Sequence, residues 1–295
     1  MDTVLVAGAT GYLGRFVVNE LSERGYRVKA LVRNSDALKY RGNYFEPKVI
    51  DKIDEIIEGD ITKPETLKEV CNGVNYVFTS VGITKQKDGL TYMDVDYQGN
   101  LNLLREAESC NVKKFIYIHV LGDHLDVPVL QAKKRFVQKL KQSPINHLII
   151  KPTGYFSDLT EYLEMAAKGK VYLIGDGKNK MNPIHGSDLA KFCVNNFDKD
   201  NVELEVGGPE VLSYKKMANL AFKSADKKEK VVNVPIWVVS PFIRLLKIFN
   251  KRYYALALFF CNVMTNDIVA PRYGKIKLET YYRDFMEKRN DTSKS

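Results

Sequence analysis

Three glycines at steps of three constrain the fold of this chain more than any other feature of its sequence. Gly8, Gly11 and Gly14 lie between the apolar run 4–7 and the segment 17–21, in which apolar residues recur at helical spacing. This pattern predicts a buried strand, a tight turn and a helix. Glycines in such a turn let a pyrophosphate approach the backbone, and the helix start supplies N–H groups and a positive dipole end. The pattern therefore predicts a dinucleotide-binding turn, and a tight turn without a ligand is the alternative.

The end of the second predicted strand indicates which dinucleotide fits. This strand covers residues 26–32, and Arg33 follows it. Sites selective for NAD(H) place a carboxylate here to accept from the ribose 2′-hydroxyl, whereas an arginine pairs with the 2′-phosphate of NADP(H). Lys39 and Arg41 add positive charge nearby. The sequence therefore predicts NADP(H), and the alternative for Arg33 is a solvated surface charge.

Strand-like and helix-like runs alternate from the N-terminus to about residue 150. Such βα alternation predicts a parallel sheet covered by helices on both faces. Beyond Lys151 the pattern loosens, and glycine-rich turns separate short elements. We therefore expect an α/β fold, a Rossmann-type doubly wound parallel sheet with a small mixed C-terminal lobe. The expected regions are a dinucleotide-binding core (1–151), a substrate-capping region interleaved with the core (152–289) and a disordered tail (290–295).

Composition and charge narrow the setting and the partners. The first predicted strand begins directly after Met1 without a signal peptide, and the four cysteines are scattered without metal-ligand spacing. These features predict a reducing, cytoplasmic setting and no metal site. The formal net charge of +9 fits an anionic cofactor, membrane or nucleic acid. No zinc finger, RNA-recognition signature or arginine-rich arm supports nucleic acid, so we expect none as a partner.

The segment 236–264 is unusually rich in aromatic and aliphatic residues. Arg244, Lys247 and the pair 251–252 interrupt its apolar runs, which are therefore shorter than the ~20 residues of a membrane span. The segment reads as a pair of helices that pack on the domain or on a partner subunit. The alternative is an amphipathic segment that lies in a membrane interface, which would make the protein membrane-peripheral.

Several motifs spread over nearly the whole chain carry a resemblance to a known family. They are GATGYLG at the N-terminus, Gly59-Asp60, DYQGN (96–100), KPTGYF (151–156), NPIHGSDLA (182–190), GGPE (207–210), RYYA (252–255) and APRYGKIKLE (270–279). In these motifs the chain resembles the NmrA-like branch of the atypical short-chain dehydrogenases/reductases. Within that branch it looks most like the divinyl chlorophyllide 8-vinyl reductase type and its bacterial relatives. The resemblance does not imply a photosynthetic role, and nothing in the sequence identifies a tetrapyrrole substrate.

The resemblance implies positions for the parts of the cofactor. It places the pyrophosphate at the glycine turn, the 2′-phosphate at Arg33, the adenine beside Asp60 and Ile61, and the nicotinamide ribose near Ser80 and Val81. A further stretch would pass beside the nicotinamide, namely Pro152, Thr153, Gly154 and Phe156. The residues implied at the glycine turn are Gly8, Thr10, Gly11, Tyr12, Leu13 and Gly14. Asp60 could instead cap a local helix and Ser80 could be a turn residue.

The catalytic residues of the family are only partly present. Family reductases use a serine and a Tyr-x-x-x-Lys pair, in which the tyrosine protonates the substrate oxygen. By this resemblance Lys133 matches the lysine, but Val129 stands at the tyrosine position, and His119 and Val120 stand where serines would be. An alkoxide formed from a carbonyl needs a proton donor, so alcohol–ketone chemistry is not expected.

Three routes to a proton remain open. Lys133 could donate it, His119 could donate it, or the substrate could need no strong acid, as when a hydride adds to a polarised C=C bond. The simpler roles are ribose binding for Lys133 and a buried, hydrogen-bonded ring for His119. We therefore expect an NADPH-dependent reductase of an apolar or conjugated small molecule. The alternative is an NADP(H)-binding protein without turnover, either a redox sensor or an accessory or assembly subunit of a membrane complex.

Overall fold

The computed structural model describes residues 1–83, 89–122 and 125–294, with the backbone alone described at 251–252 and 292–294. The chain divides into two compact units. The first unit contains residues 1–151 and 189–205, and the second contains residues 152–188 and 206–295.

Strands and helices alternate through the first unit and become shorter and less regular in the second. In chain order the strands are β1 Thr3–Ala7, β2 Arg27–Val32, β3 Glu55–Glu58, β4 Tyr76–Thr79, β5 Lys114–Ile118, β6 Asn146–Pro152, β7 Val171–Ile174, β8 Lys180–Met181, β9 Val202–Val206, β10 Leu212–Ser213 and β11 Val231–Val234. The α-helices are α1 Tyr12–Glu23, α2 Asn100–Ser109, α3 Pro128–Gln142, α4 Phe156–Ala167, α5 Gly186–Asn195, α6 Tyr214–Ser224, α7 Ile236–Phe249, α8 Lys251–Thr265 and α9 Leu278–Lys294.

A seven-stranded sheet organises the first unit, in the order β3-β2-β1-β4-β5-β6-β9. The strand pairs from β3 to β6 are parallel. Chain progression reverses at β1, whose last residue, Ala7, is in register with Leu31 of β2 and Thr79 of β4. Ligands of open α/β sheets bind outside the carboxyl ends of the strands at this reversal point. The predicted Rossmann-type parallel sheet is confirmed, and its reversal point lies where the glycine turn begins.

Alternating side chains of the sheet separate its two faces. Leu5, Val77, Phe115 and Tyr117 point to one face and belong to a single buried apolar cluster. Phe136 of α3 packs against Phe115 and Tyr117 from that face. The side chain of Tyr117 is therefore fixed beneath α3, the helix that carries Lys133.

The second unit combines helices with two small sheets, in which β8 pairs antiparallel with β10 and β7 pairs parallel with β11. Two buried polar residues of the NPIHGSDLA motif connect its loops. Asn182 donates to the carbonyls of Gly208 and Ala270, and the Asp188 carboxylate accepts from the amides of Lys275 and Ile276. Three of the motifs that carry the family resemblance therefore pack together as a structural framework.

Two segments differ from the expectation. The sequence pattern of residues 91–110 predicts one long helix, whereas the structure has a π-helical segment, Met93–Gly99, followed by α2. Helix α9 extends through residues 290–294, which we expected in a disordered tail, because the strong helix formers Glu287, Lys288 and Arg289 carry the helix onward. Residue 295, the last of that tail, lies outside the described residues.

Candidate dinucleotide-binding site

The three positions of the first turn require or allow glycine for different structural reasons. Gly8 has a φ of +87°, a conformation that favours glycine. A Cβ on Gly14 would lie 2.0 Å from the Gly8 carbonyl oxygen, so only glycine allows α1 to approach β1 this closely. A Cβ on Gly11 would meet a single described atom within 4 Å, the Gly8 oxygen at 3.2 Å. The fold itself requires Gly8 and Gly14, whereas Gly11 faces space that a ligand can occupy.

The start of α1 is suited to an anion. Gly11 is the residue before the helix, no side chain caps the helix, and its first turn carries no acidic residue. The first N–H groups of a helix and its dipole then favour a negative group. Leu13 is buried in the core, so only its backbone can reach the turn, while the half-buried ring of Tyr12 packs edge-on against Phe16 and Tyr44. These features fit a diphosphate on the turn.

A buried arginine holds the turn together with the segment that follows Arg33. The guanidinium of Arg15 donates to the carbonyl of Thr10 at 3.1 Å, which places Thr10 by its backbone. It also donates to the carbonyls of Ala37, Tyr40 and Pro47 at distances between 2.5 and 3.2 Å. Burial lowers the pKa of Arg15, and the nearby Glu46 carboxylate opposes that effect. Arg15 thus fixes the loop 37–47 next to the glycine turn.

Arg33 follows β2 directly and is exposed at the carboxyl edge of the sheet. Lys39 forms an ion pair with Asp36 at 2.7 Å, so part of the positive charge expected near Arg33 is already neutralised. The carboxylate of Glu58, at the end of β3, accepts from the amide of Ser35, and the hydrogen bonds to the side chain and to the amide of Ser35 lower the pKa of Glu58. An arginine and a held carboxylate therefore share this edge, and the role of Arg33 toward a 2′-phosphate stays a prediction.

Asp60 and Ile61 lie in a turn after β3. Asp60 Oδ1 accepts from the backbone amide and the hydroxyl of Thr62, as the residue that caps a turn does. Ile61 is buried, and its carbonyl accepts from Asn102. Both contacts are structural, so the predicted place of the adenine rests on the family resemblance.

Ser80 and Val81 lie beside the first glycine. A Cβ on Gly8 would be 3.1 Å from Ser80 Oγ and 3.3 Å from Val81 Cγ2. The buried Asn100 accepts from Thr79 Oγ1 at 2.9 Å and donates to the Val81 carbonyl at 3.3 Å. The end of β4 is therefore held against the glycine turn, which brings these two predicted cofactor positions together.

Lys133 is buried and paired with a carboxylate. Its Nζ lies 3.0 Å from Asp96 Oδ1 and 3.4 Å from the Tyr117 hydroxyl, and 5.3 Å from the centre of the Tyr117 ring. Asp96 is fully buried; desolvation raises its pKa, and the attraction of Lys133 works against that rise. The other oxygen of Asp96 accepts from the amide of Ile83 at 3.1 Å. The ion pair thus supports the loop that follows Val81.

His119 directly follows β5, and its role as a proton donor stays a prediction. Its ring is buried, and Nδ1 accepts from the amide of Val120 at 2.7 Å, which leaves the proton of the neutral ring on Nε2. Val129 lies in the first turn of α3, one turn before Lys133. Among the side chains described here, the hydroxyl near Lys133 is that of Tyr117, and burial raises its pKa to about 12.

Residues 152–156 of the KPTGYF stretch belong to the second unit. Thr153 donates its hydroxyl proton to the Asn182 carbonyl at 2.6 Å, and a Cβ on Gly154 would lie 2.6 Å from the sulfur of Met181. Pro152 is buried, and the buried ring of Phe156 packs 5.8 Å from His185. These contacts are structural, and a place of this stretch beside the nicotinamide stays a prediction.

Sequence reasoning gave no role to three residues that shape this region. Asp96 lies in the DYQGN motif. A carboxylate in a helical segment that ends in buried residues is a signal for a buried ion pair, and it could have indicated Asp96 as the partner of Lys133. Tyr117 alternates with apolar neighbours in β5 as an ordinary core residue does. Arg15 interrupts an apolar helix face. An arginine in such a buried position needs acceptors, and this could have indicated that Arg15 donates to backbone carbonyls.

Two curated proteins illustrate what the chain is similar to. It is 29% identical to divinyl chlorophyllide a 8-vinyl-reductase of Zea mays, over 95% of this chain and 78% of that protein. It is 26% identical to photosystem II assembly factor Ycf39 of Trieres chinensis, over 80% of this chain and 73% of that protein. Both similarities extend well beyond the glycine turn.

The fold is shared with a solved dinucleotide complex. Triphenylmethane reductase of Citrobacter sp., crystallised with NADP(H), superimposes with a TM-score of 0.73 at 16% identity, over 96% of this chain and 99% of that chain. The predicted family resemblance and the predicted dinucleotide cofactor are confirmed at the level of NAD(P)H. A family model described as NAD(P)H-binding matches residues 8–200, and the chain belongs to this family of NAD(P)H-binding proteins.

Proposed function

We propose that the protein is an NADPH-dependent reductase that adds a hydride to a polarised C=C bond in an apolar substrate. The observation that carries this proposal is the state of Lys133. Its ammonium is buried against Asp96, and the position one turn before it is Val129. The chain thus keeps residues that fit a dinucleotide and has a valine at the position where related reductases carry the tyrosine acid.

The nearby tyrosine does not replace the missing acid. Tyr117 is fully buried, and its raised pKa of about 12 keeps the hydroxyl proton in place at neutral pH. We assign His119 a structural role just after β5, which its buried ring and the hydrogen bond at Nδ1 support. A reaction that takes its proton from water is therefore better matched to these residues than one that must protonate an alkoxide.

Each part of the first unit has a task in this reaction. The turn at Gly11 binds the diphosphate, Arg33 binds the 2′-phosphate, and the Lys133–Asp96 pair holds the loop at Val81 in place. When bound, NADPH supplies the hydride. Reduction of a C=C bond would place that hydride on one alkene carbon, and the other carbon would take its proton from water.

The names of the relatives support both the proposal and its alternative. The maize relative is named as a vinyl-reductase, and the reduction of a vinyl group is the reduction of a C=C bond. The relative in Trieres chinensis is named as an assembly factor, and the exposed apolar helix α7 favours an accessory role of that kind as the second candidate. In either role we place the protein in the cytoplasm.

A matched pair of substrates tests the proposal. NADPH oxidation is followed with a conjugated vinyl or enone compound and with the saturated ketone of the same skeleton, with the Gly11→Val variant as control. We expect oxidation with the conjugated compound and none with the ketone. Reduction of the ketone would overturn the alkene assignment. Tight NADPH binding without oxidation by any conjugated compound would favour the accessory role.

A further inference from the structure

Helix α7 presents an apolar face to solvent. Five of its large apolar residues are between 52% and 78% exposed, namely Trp237, Phe242, Leu245, Ile248 and Phe249. Ile243 is the buried residue of this helix among the described residues. An amphipathic helix of a globular protein normally keeps its apolar residues toward the core, whereas α7 has apolar residues on its exposed side as well as at the buried Ile243.

The exposed residues form one continuous surface. Trp237, Pro241, Leu245 and Ile248 follow one another at helical spacing of three or four, so they line one side of α7. Phe242 and Phe249, seven residues apart, border the same side. We call this surface, formed by Trp237, Pro241, Phe242, Leu245, Ile248 and Phe249, the α7 face. A surface of this kind marks an interaction site.

The charged residues on α7 and next to it in the sequence have one sign. Arg244 and Lys247 are exposed on α7, and Lys251 and Arg252 follow in the sequence. No aspartate or glutamate occurs between Glu229 and Asp267. An apolar surface that carries the exposed cations Arg244 and Lys247 is complementary to an apolar layer beneath negative charges.

We propose that the α7 face binds the interface of an anionic lipid bilayer. Its apolar side chains enter the boundary between headgroups and acyl chains, and Arg244 and Lys247 pair with lipid phosphates. Trp237 lies on this face, and tryptophan is enriched at membrane–water interfaces. The helix lies parallel to the membrane surface, because its 14 residues span about 21 Å, which is shorter than the hydrocarbon core of a bilayer. No helix among the described residues is long and apolar enough to cross a bilayer.

Trp237 provides a direct readout, since it is the single tryptophan of the chain. The full-length protein is titrated with vesicles of phosphatidylcholine alone and with vesicles of phosphatidylcholine and phosphatidylglycerol in equal parts. We expect the emission of Trp237 to shift to shorter wavelength only with the anionic vesicles. Added salt should reverse the shift, because it screens the cations.

Two variants with matched controls separate the contributions of the face and its charges. Trp237→Ser/Ile248→Ser should lose more than about tenfold in co-sedimentation with anionic vesicles. Its control is Tyr172→Ser, which removes an exposed ring on β7. Arg244→Gln/Lys247→Gln should lose about fivefold per charge, and Lys215→Gln/Lys216→Gln on α6 is its control. All four variants should keep NADPH affinity, so this result is independent of the proposed reductase function.

Three outcomes would overturn the proposal. The first is no association with anionic vesicles at low salt. The second is equal binding to both vesicle types without salt dependence. The third is a dimer in sedimentation that Trp237→Ser/Ile248→Ser converts to a monomer, without vesicle binding, which would assign the α7 face to a second copy of the chain.

Discussion

At the residue scale, Gly11 differs from Gly8 and Gly14 in what a side chain would meet. We expect Gly11→Val to abolish NADPH binding while the fold persists, because the valine occupies the space of the diphosphate and contacts little of the protein. Calorimetric titration and thermal unfolding measure the two effects separately. Gly14→Val is the contrast, since its Cβ would collide with the Gly8 oxygen and should lower stability itself.

Normal NADPH affinity in a folded Gly11→Val protein would refute the diphosphate assignment. Loss of folding in that variant would instead show that Gly11 belongs to the framework of the turn.

A second residue, Arg33, should determine the choice between cofactors. A charged hydrogen bond to the 2′-phosphate contributes about 1.5–3 kcal/mol, so NADPH should bind about ten- to a hundredfold more tightly than NADH. Arg33→Ala should remove most of that preference in calorimetric titrations with both cofactors. Lys39→Ala is the matched control, because the Lys39 charge is already paired with Asp36. Equal affinities in the unaltered protein would contradict the prediction.

At the scale of elements, the Lys133–Asp96 pair connects α3 to the π-helical segment before α2. Removing one partner of a buried ion pair costs about 3–5 kcal/mol, because the other charge stays buried alone. We therefore expect Lys133→Met to lower the free energy of unfolding by that amount, and Lys133→Met/Asp96→Asn to recover much of it. Chemical denaturation measures both. At saturating NADPH the turnover of Lys133→Met should stay near that of the unaltered protein, since the lysine acts as a support.

The cost of Lys133→Met should depend on pH in a defined direction. Without Lys133, desolvation of Asp96 loses its main opposing influence, so the pKa of Asp96 rises further even with the hydrogen bond from the Ile83 amide in place. When a carboxyl has a raised pKa in the folded state, the folded protein is most stable at low pH, and it loses stability as pH rises through the folded-state pKa of that carboxyl. The variant should therefore be closer to the unaltered protein at acidic pH than at alkaline pH. A difference that grows toward acidic pH would refute the buried ion pair.

His185, in the NPIHGSDLA element, should make the protein sensitive to acid. Burial lowers its pKa to about 4, whereas an unfolded histidine titrates near 6.5. The contribution of neutral His185 to the free energy of unfolding is then complete above about pH 6.5. It falls by roughly 3 kcal/mol as pH decreases toward about 4, because the histidine of the unfolded state takes up its proton first. Urea denaturation of His185→Gln should show a flatter profile. If that variant does not fold, an NMR titration of His185 that gives an ordinary pKa would refute the prediction.

At the scale of the whole molecule, the sequence predicted what depends on local pattern. The glycine turn, the parallel order of β1 to β6 and the helix that carries Lys133 followed from apolar periodicity and glycine spacing. The partner of Lys133 did not, because Asp96 is 37 positions away along the chain and only the register of the sheet brings α3 over the π-helical segment. The structural use of Phe156 was equally hidden, since a buried ring and a ring beside a cofactor have the same sequence signal.

Residues 189–205 belong to the first unit although they are made after residues 152–188, and this has a consequence for synthesis of the protein and for the expression of fragments. Strand β9 completes the sheet next to β6, and the buried Lys114 pairs with Asp200 and donates to the Phe197 carbonyl. When the first 151 residues leave the ribosome, the edge of β6 is still open and Lys114 has neither partner. We therefore expect fragment 1–151 to aggregate on expression, because an unpaired strand edge templates association. Adding residues 189–205 as a separate peptide should restore solubility, and a soluble, folded fragment 1–151 would contradict this view. The order in which the ribosome delivers the chain thus leaves the nucleotide-binding sheet unfinished until more than two thirds of the protein has been made.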